Sequence, residues 1–110
     1  MDTKKVYALN LFNISDKDEY LAYLKRSAKE VPNHGGKLVA VGKYDESFKG
    51  DLSPRQVMIL VEWESKEAFL HYRKNPNLKD LHPHRENGTS DYIWITFDKL
   101  EDFRVFFPKE

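Results

Sequence analysis

The sequence predicts an α+β domain of ferredoxin-like type, ordered β-α-β-β-α-β, with an antiparallel sheet in the strand order 4-1-3-2. Three observations carry this. Val6–Phe12, Lys37–Tyr44, Gln56–Trp63 and Asp91–Phe97 are rich in apolar residues and too short for helices of ordinary length. Segments with apolar residues at helical spacing separate the first strand from the second and the third from the fourth. The second and third strands are joined by a polar connection instead. Two such units form a split βαβ arrangement, and right-handed crossovers place the first and third strands at the centre of the sheet.

The first strand, VYALNLF, ends at Asn13-Ile14-Ser15. Ser15 is expected to cap the first helix, with Asp16, Asp18 and Glu19 in its first turn, where carboxylates meet the positive end of the helix dipole. Tyr20, Leu21, Leu24, Ser27, Ala28 and Val31 then share one face. Pro32 opposes helical backbone at Val31, and Gly35-Gly36 turns the chain. Lys37 and Lys43 give the second strand the charged ends of an edge strand. Asp45–Pro54, with Gly50-Asp51 and Ser53-Pro54, reads as an unusually long hairpin connection.

After the third strand, QVMILVEW, Ser65 caps a second helix whose inward stripe is Ala68, Phe69 and Tyr72. Asn75-Pro76 ends it, and Asn77–Leu81 has the character of one more helical turn. His82 to Ser90 reads as irregular, with Asn87-Gly88 as a turn before the fourth strand, DYIWITF. The tail Asp98–Glu110 holds Leu100, Phe103, Val105, Phe106 and Phe107, too apolar for a free coil.

Length and charge restrict the function. The 110 residues fit a single domain over 1–110, with a core at 5–97 and an extension at 98–110 expected to pack at a dimer. Eighteen basic residues balance eighteen acidic ones, which argues against non-specific nucleic-acid binding and against a polybasic membrane patch. The absence of cysteine removes disulfides, thiolate catalysis and cysteine-held zinc. No apolar run approaches the roughly 20 residues of a membrane span. Met1-Asp2-Thr3-Lys4-Lys5 leads into a strand and not a secretory segment, so a cytoplasmic location is expected.

Two helices cover one face of a four-stranded sheet, so the other face should be polar. It is not: Tyr7, Leu9 and Leu11 oppose Val6, Ala8 and Phe12, while Val57, Ile59, Val61 and Trp63 oppose Met58 and Leu60. In the fourth strand Tyr92 and Trp94 oppose Ile93, Ile95 and Phe97. Leaving such side chains wet forgoes about 1.5–3 kcal/mol each. A homodimer joined sheet to sheet is the expected remedy.

Several residues, taken in order, resemble the bacterial family called domain of unknown function 1330. They are Tyr7, Tyr20, Tyr23, Gly35-Gly36, Leu38, Gly42, Phe48-Lys49-Gly50, Pro54, Val61-Glu62-Trp63-Glu64-Ser65, Ala68, Tyr72, Asn75-Pro76, Pro83 and Arg85. Lys49, His71 and Leu78 depart from its usual Glu, Trp and Tyr, and the tail runs past its usual end. The resemblance implies a dimeric α/β barrel, two ferredoxin-like sheets face to face, and no particular reaction. Trp63, Ser65, Ala68 and His71 also resemble the antibiotic-biosynthesis monooxygenase branch of that superfamily. That branch oxidises phenols without metal or flavin, in a pocket between helices and sheet.

The candidate site follows from these residues. His71 is the candidate acid–base group, since an imidazole suits proton transfer near neutrality; a boundary histidine is the structural alternative. Asn10, Trp63, Tyr72, Arg85 and Tyr92 are the candidate ligand-binding residues. Arg85 would clamp a carboxylate or phenolate, or make a structural salt bridge. Asn10 would be a polar handle in a pocket if it faces the helices, and an interface hydrogen bond if it faces a partner. His82 and His84 would share a side of an extended segment, but a closed zinc site needs further ligands, so no metal is expected. No phosphate-loop pattern surrounds the glycines. The expected function is binding of a small aromatic or carboxylated molecule without cofactor. A cofactor-independent monooxygenase, or a related oxidoreductase or isomerase, is the alternative, and a haem-handling protein with His71 as axial ligand is a distant third.

Overall fold

The computed structural model describes residues 4–107; Met1 to Thr3 and the last three residues of the predicted tail lie outside the described residues. Its elements are β1 (Val6–Ile14), α1 (Lys17–Asn33), β2 (Gly36–Lys43), β3 (Val57–Trp63), α2 (Lys66–Lys74), α3 (His82–Gly88) and β4 (Thr89–Asp98), with short 3₁₀ turns at Pro76–Leu78 and Arg104–Phe106. The strands form one antiparallel sheet in the order β2-β3-β1-β4, the ferredoxin-like arrangement read from the sequence.

Strand parity builds the core. Val6, Ala8, Asn10 and Phe12 of β1 are all buried, whereas Tyr7, Leu9 and Leu11 are only half-buried. Pairing carries this parity across the sheet: Val6 faces Trp63, Ala8 faces Val61, and Asn10 faces both Ile59 and Trp94. The helices cover that face. Phe69 and Tyr72 bring α2 onto it, as the predicted stripe requires. Ser65 caps α2, its Oγ accepting from the Ala68 N–H at 3.0 Å.

Four local expectations are corrected. Asp16, not Ser15, caps α1: its Oδ1 accepts from the Glu19 N–H at 3.2 Å, because β1 continues to Ile14 and delays the helix. The buried face of α1 is Tyr20, Tyr23 and Ser27, while Leu21 and Leu24 are exposed. Pro32 does not stop α1, which runs to Asn33 and closes with the His34 N–H on the Glu30 carbonyl. The segment from His82 is a helix, not irregular chain. Pro83 sits in its first turn, where its missing N–H has no partner to lose.

At the far end of α3, Gly88 lets the helix approach α1 closely: a Cβ there would stand 2.6 Å from the Tyr20 backbone nitrogen. The Gly88 carbonyl accepts from the N–H groups of Ser15 and Asp16, at 2.9 and 3.3 Å. This contact fixes α3 and, with it, Arg85.

Candidate functional site

A cleft of about 370 Å³ lies between α1 and the sheet. Its sheet side includes Asn10, Ile59, Val61, Trp63 and Trp94; Tyr20, Tyr23 and Ser27 come from α1, and Tyr72 from α2. Gly36, opposite Trp63, leaves room for the indole, since a Cβ there would stand 3.1 Å from its ring. A larger hollow of about 590 Å³ lies at the base of the β2–β3 connection, but exposed residues such as Phe48 and Leu52 wall it. The smaller cleft has the aromatic walls and sparse polar groups of a ligand site.

Most of its polar groups are already engaged. Asn10 faces the helices; its Nδ2 donates to the carbonyls of Ile59 (3.1 Å) and Ala8 (3.3 Å). Its Oδ1 accepts from the Tyr92 hydroxyl at 2.5 Å. The Tyr23 and Tyr72 hydroxyls bond each other at 2.8 Å. Burial, reinforced by Tyr23, holds the phenols of Tyr20, Tyr72 and Tyr92 well above the ordinary tyrosine range. They therefore stay protonated across the physiological range. Two donors are left over: among the described residues, the Nε1–H groups of Trp63 and Trp94 are the only buried side-chain polar atoms without a partner.

Arg85 stands behind this wall. It is only 7% exposed, and its guanidinium lies 4.7 Å from the Trp94 ring, 5.7 Å from Tyr23 and 5.9 Å from Tyr92. Its nearest carboxylate, Glu86, is 3.7 Å away and largely exposed. Arg85 Nη1 donates to His82 Nδ1 at 2.6 Å, and His82 Nε2 donates to the Tyr72 carbonyl at 3.0 Å. Those two bonds specify the neutral imidazole with its proton on Nε2. Burial first, then the charges of Arg85 and Arg73, lowers the His82 pKa below the ordinary histidine value.

The structure brings Asn10, Trp63 and Tyr72 to the cleft, with Arg85 and Tyr92 packed behind its rings. His71 lies elsewhere, on the exposed side of α2, with its ring 5.3 Å from that of His34. His71 and Arg85 therefore do not share a pocket. His82 and His84 do not share a side either: the helix turns His82 toward Tyr72 and His84 toward Glu19, 3.0 Å away. Among the described residues, no three His, Asp or Glu side chains stand close enough to hold a metal ion. His82 as the partner of Arg85 was hidden in the sequence, because its i, i+3 relation has meaning only once the segment is helical.

Comparisons with known proteins place the fold. None of the curated proteins matches the chain. It is similar to a protein of unknown function from Rhodopseudomonas palustris, at 22% identity and a TM-score of 0.76, covering 90% of this chain and 85% of that one. It is also similar to SnoaB, a cofactor-independent oxygenase from Streptomyces nogalater, at 15% identity and a TM-score of 0.63, covering 91% and 97%. A dimeric ferredoxin-like protein of unknown function from Thermobifida fusca gives 11% identity and a TM-score of 0.60, covering 90% and 94%. At such identities the likeness shows the ferredoxin-like fold. The profile of the family described as a domain of unknown function, DUF1330, matches residues 5–97, and the chain belongs to that family.

Proposed function

We propose that the protein is a homodimer, joined through the helix-free faces of its sheets, that binds a small planar aromatic molecule bearing an acidic oxygen. The observation that carries the binding reading is the aromatic cleft, walled by Tyr20, Tyr23, Trp63, Tyr72 and Trp94, with a guanidinium packed 4.7 Å from the Trp94 ring that lacks a buried counter-ion. The aromatic walls supply dispersion and burial for a planar ring.

Binding is preferred to acid–base catalysis because of the lining. Among the described residues that line the cleft, none is a carboxylate, histidine, lysine or arginine, and the phenols of Tyr20 and Tyr72 are held protonated. Cofactor-independent oxygenation, the activity named for the Streptomyces neighbour, is the second reading, supported by the shared fold alone.

The dimer rests on the opposite parity of the same strands. Leu9 and Leu11 pair with Leu60, Met58, Ile93 and Ile95, and Tyr7 with Phe97 and Glu62, giving a face that is apolar apart from Glu62 and that no helix covers. The described neighbour from Thermobifida fusca is dimeric. Calorimetry with 4-hydroxybenzoate and with its neutral analogue 4-hydroxybenzamide tests the ligand class, and tryptophan fluorescence reports occupancy. The anion should bind at least tenfold tighter; equal or absent binding would remove the reading. Sedimentation should show a dimer at micromolar concentration and a monomer for Leu9→Lys.

A further inference from the structure

The chain is less compact than its length predicts: its radius of gyration is 15.7 Å, against about 13 Å for a compact domain of this size. Two projections contribute. One is the β2–β3 connection, whose tip residue Phe48 is 87% exposed. Its root is firmly held: the Gln56 N–H donates to Asn13 Oδ1, and Arg55 Nε donates to the Asp91 carbonyl, both at 2.8 Å. The other projection is the tail after β4, which lies beyond the family match.

The tail is organised but uncovered. Phe103 and Phe106 pair with ring centres 6.2 Å apart across a 3₁₀ turn, and both are exposed. Asp102 braces the turn by accepting from the Arg104 N–H and Nε, both at 2.9 Å. This is a preformed aromatic knob. A groove of about 590 Å³ stands at the base of the β2–β3 connection, opening on the helix-free side, with Leu11 and Met58 as floor and Phe48 and Leu52 in its wall. Lys43, Glu46, Lys49 and Arg55 flank it, and the tail carries charges of both signs, Lys99 and Arg104 beside Glu101 and Asp102.

We infer that residues 99–107 of one copy seat in this groove of a second copy, clasping the dimer at both ends. The inference rests on the sheet-to-sheet dimer proposed above. The tail leaves β4 beside Val6, at the start of β1, while the groove lies near Leu11, toward edge strand β2. The two features thus occupy diagonally opposed corners of one sheet, separated by about 17 Å along the strands. When two sheets pack face to face with strands near perpendicular, a two-fold axis along the other diagonal carries each tail onto the partner's groove. Apolar knob then meets apolar floor.

The natural chain has no cysteine, so a cross-link can be placed cleanly. Phe48→Cys and Phe106→Cys, introduced together, should give a disulfide-linked dimer under mild oxidation, and neither alone should do so efficiently. Phe103→Ser with Phe106→Ser should raise the dimer dissociation constant at least tenfold while leaving the far-UV circular dichroism unchanged. An unchanged dissociation constant, with the cross-link absent or formed within one chain, overturns the clasp and leaves the sheet-to-sheet dimer standing. A monomeric natural chain overturns both. Should the double Ser variant misfold, the cross-link alone decides.

Discussion

Replacing Arg85 by Met separates recognition from stability. Met keeps an apolar stem of similar length and removes a charge that is 7% exposed. The contact with the Trp94 ring at 4.7 Å is a desolvated cation–π interaction, lost in the variant at a cost of about 2 kcal/mol. His82 Nδ1 also loses its donor, at about 1–3 kcal/mol. Against these stands the desolvation of the guanidinium, several kcal/mol, which the variant no longer bears. The ion pair with exposed Glu86, at 3.7 Å, adds little. The terms nearly cancel, so Arg85→Met should change folding stability by no more than about 1–2 kcal/mol. Binding should change more selectively. An anion on the cleft side of Trp94 would stand roughly 9 Å from the guanidinium, an attraction of about 2 kcal/mol at an effective dielectric near 20. That corresponds to a roughly 30-fold loss of affinity for 4-hydroxybenzoate, with little loss for 4-hydroxybenzamide. Urea denaturation and calorimetry measure the two quantities on the same samples. A loss of several kcal/mol in stability, with the anion-to-neutral ratio unchanged, would show that Arg85 is structural and refute the assignment.

Asp16→Ala should cost about 1 kcal/mol by removing the cap on the Glu19 N–H, whereas Ser15→Ala should stay within about 0.5 kcal/mol; thermal denaturation of the pair checks the corrected helix start. Gly88→Ala should destabilise by about 1–3 kcal/mol or more, because its methyl would meet the Tyr20 backbone at 2.6 Å, and a neutral result in urea unfolding would contradict the α1–α3 contact. The depressed His82 pKa makes a pH prediction: the unfolded chain takes up the proton near its ordinary value of 6.5 while the folded chain resists it. Stability from neutral His82 is therefore complete above that value and declines as pH falls toward the folded pKa. The melting temperature should drop between pH 7 and pH 5, and less steeply in His82→Gln; parallel curves would contradict the Arg85–His82 bond.

The sheet was legible because strand parity and turn signals agree: the alternation in Val6-Tyr7-Ala8-Leu9 already separates two apolar faces. Parity also groups Asn10 with Ala8 and Phe12, but it does not say which face the helices cover, so the role of Asn10 needed the structure. The phase of α2 was readable. With Phe69 and Tyr72 turned inward, His71 is rotated about 100° away from Tyr72. Other helix details were less accessible. Leucine spacing pointed to Leu21 and Leu24, yet α1 buries the bulkier Tyr20 and Tyr23 against Phe12, α2 and Arg85. A proline and an Asn-Gly pair made α3 resemble a loop, although Pro83 occupies a first turn and Gly88 the last position. Without that helix, neither the Arg85–His82 bond nor the placement of a cation behind Trp94 follows from spacing.

The chemistry of the proposed site has a consequence of its own. Its charge is a guanidinium that stays protonated at any physiological pH. The nearby phenols of Tyr20, Tyr72 and Tyr92 are held protonated by burial. None of these groups changes state between pH 5 and 8. His82 is the exception, and it acts indirectly: its neutral Nδ1 holds Arg85, while its Nε2–H is anchored on the Tyr72 carbonyl. Protonating His82 would remove the acceptor for Arg85 and put two cations side by side, 2.6 Å apart at their nearest nitrogens. Because Arg85 lies behind the indole, it can bias the cleft toward anions without gripping one oxygen. Such a site selects for charge and planarity and tolerates variation in where the acidic group sits, which suits a family of related aromatic acids better than a single substrate.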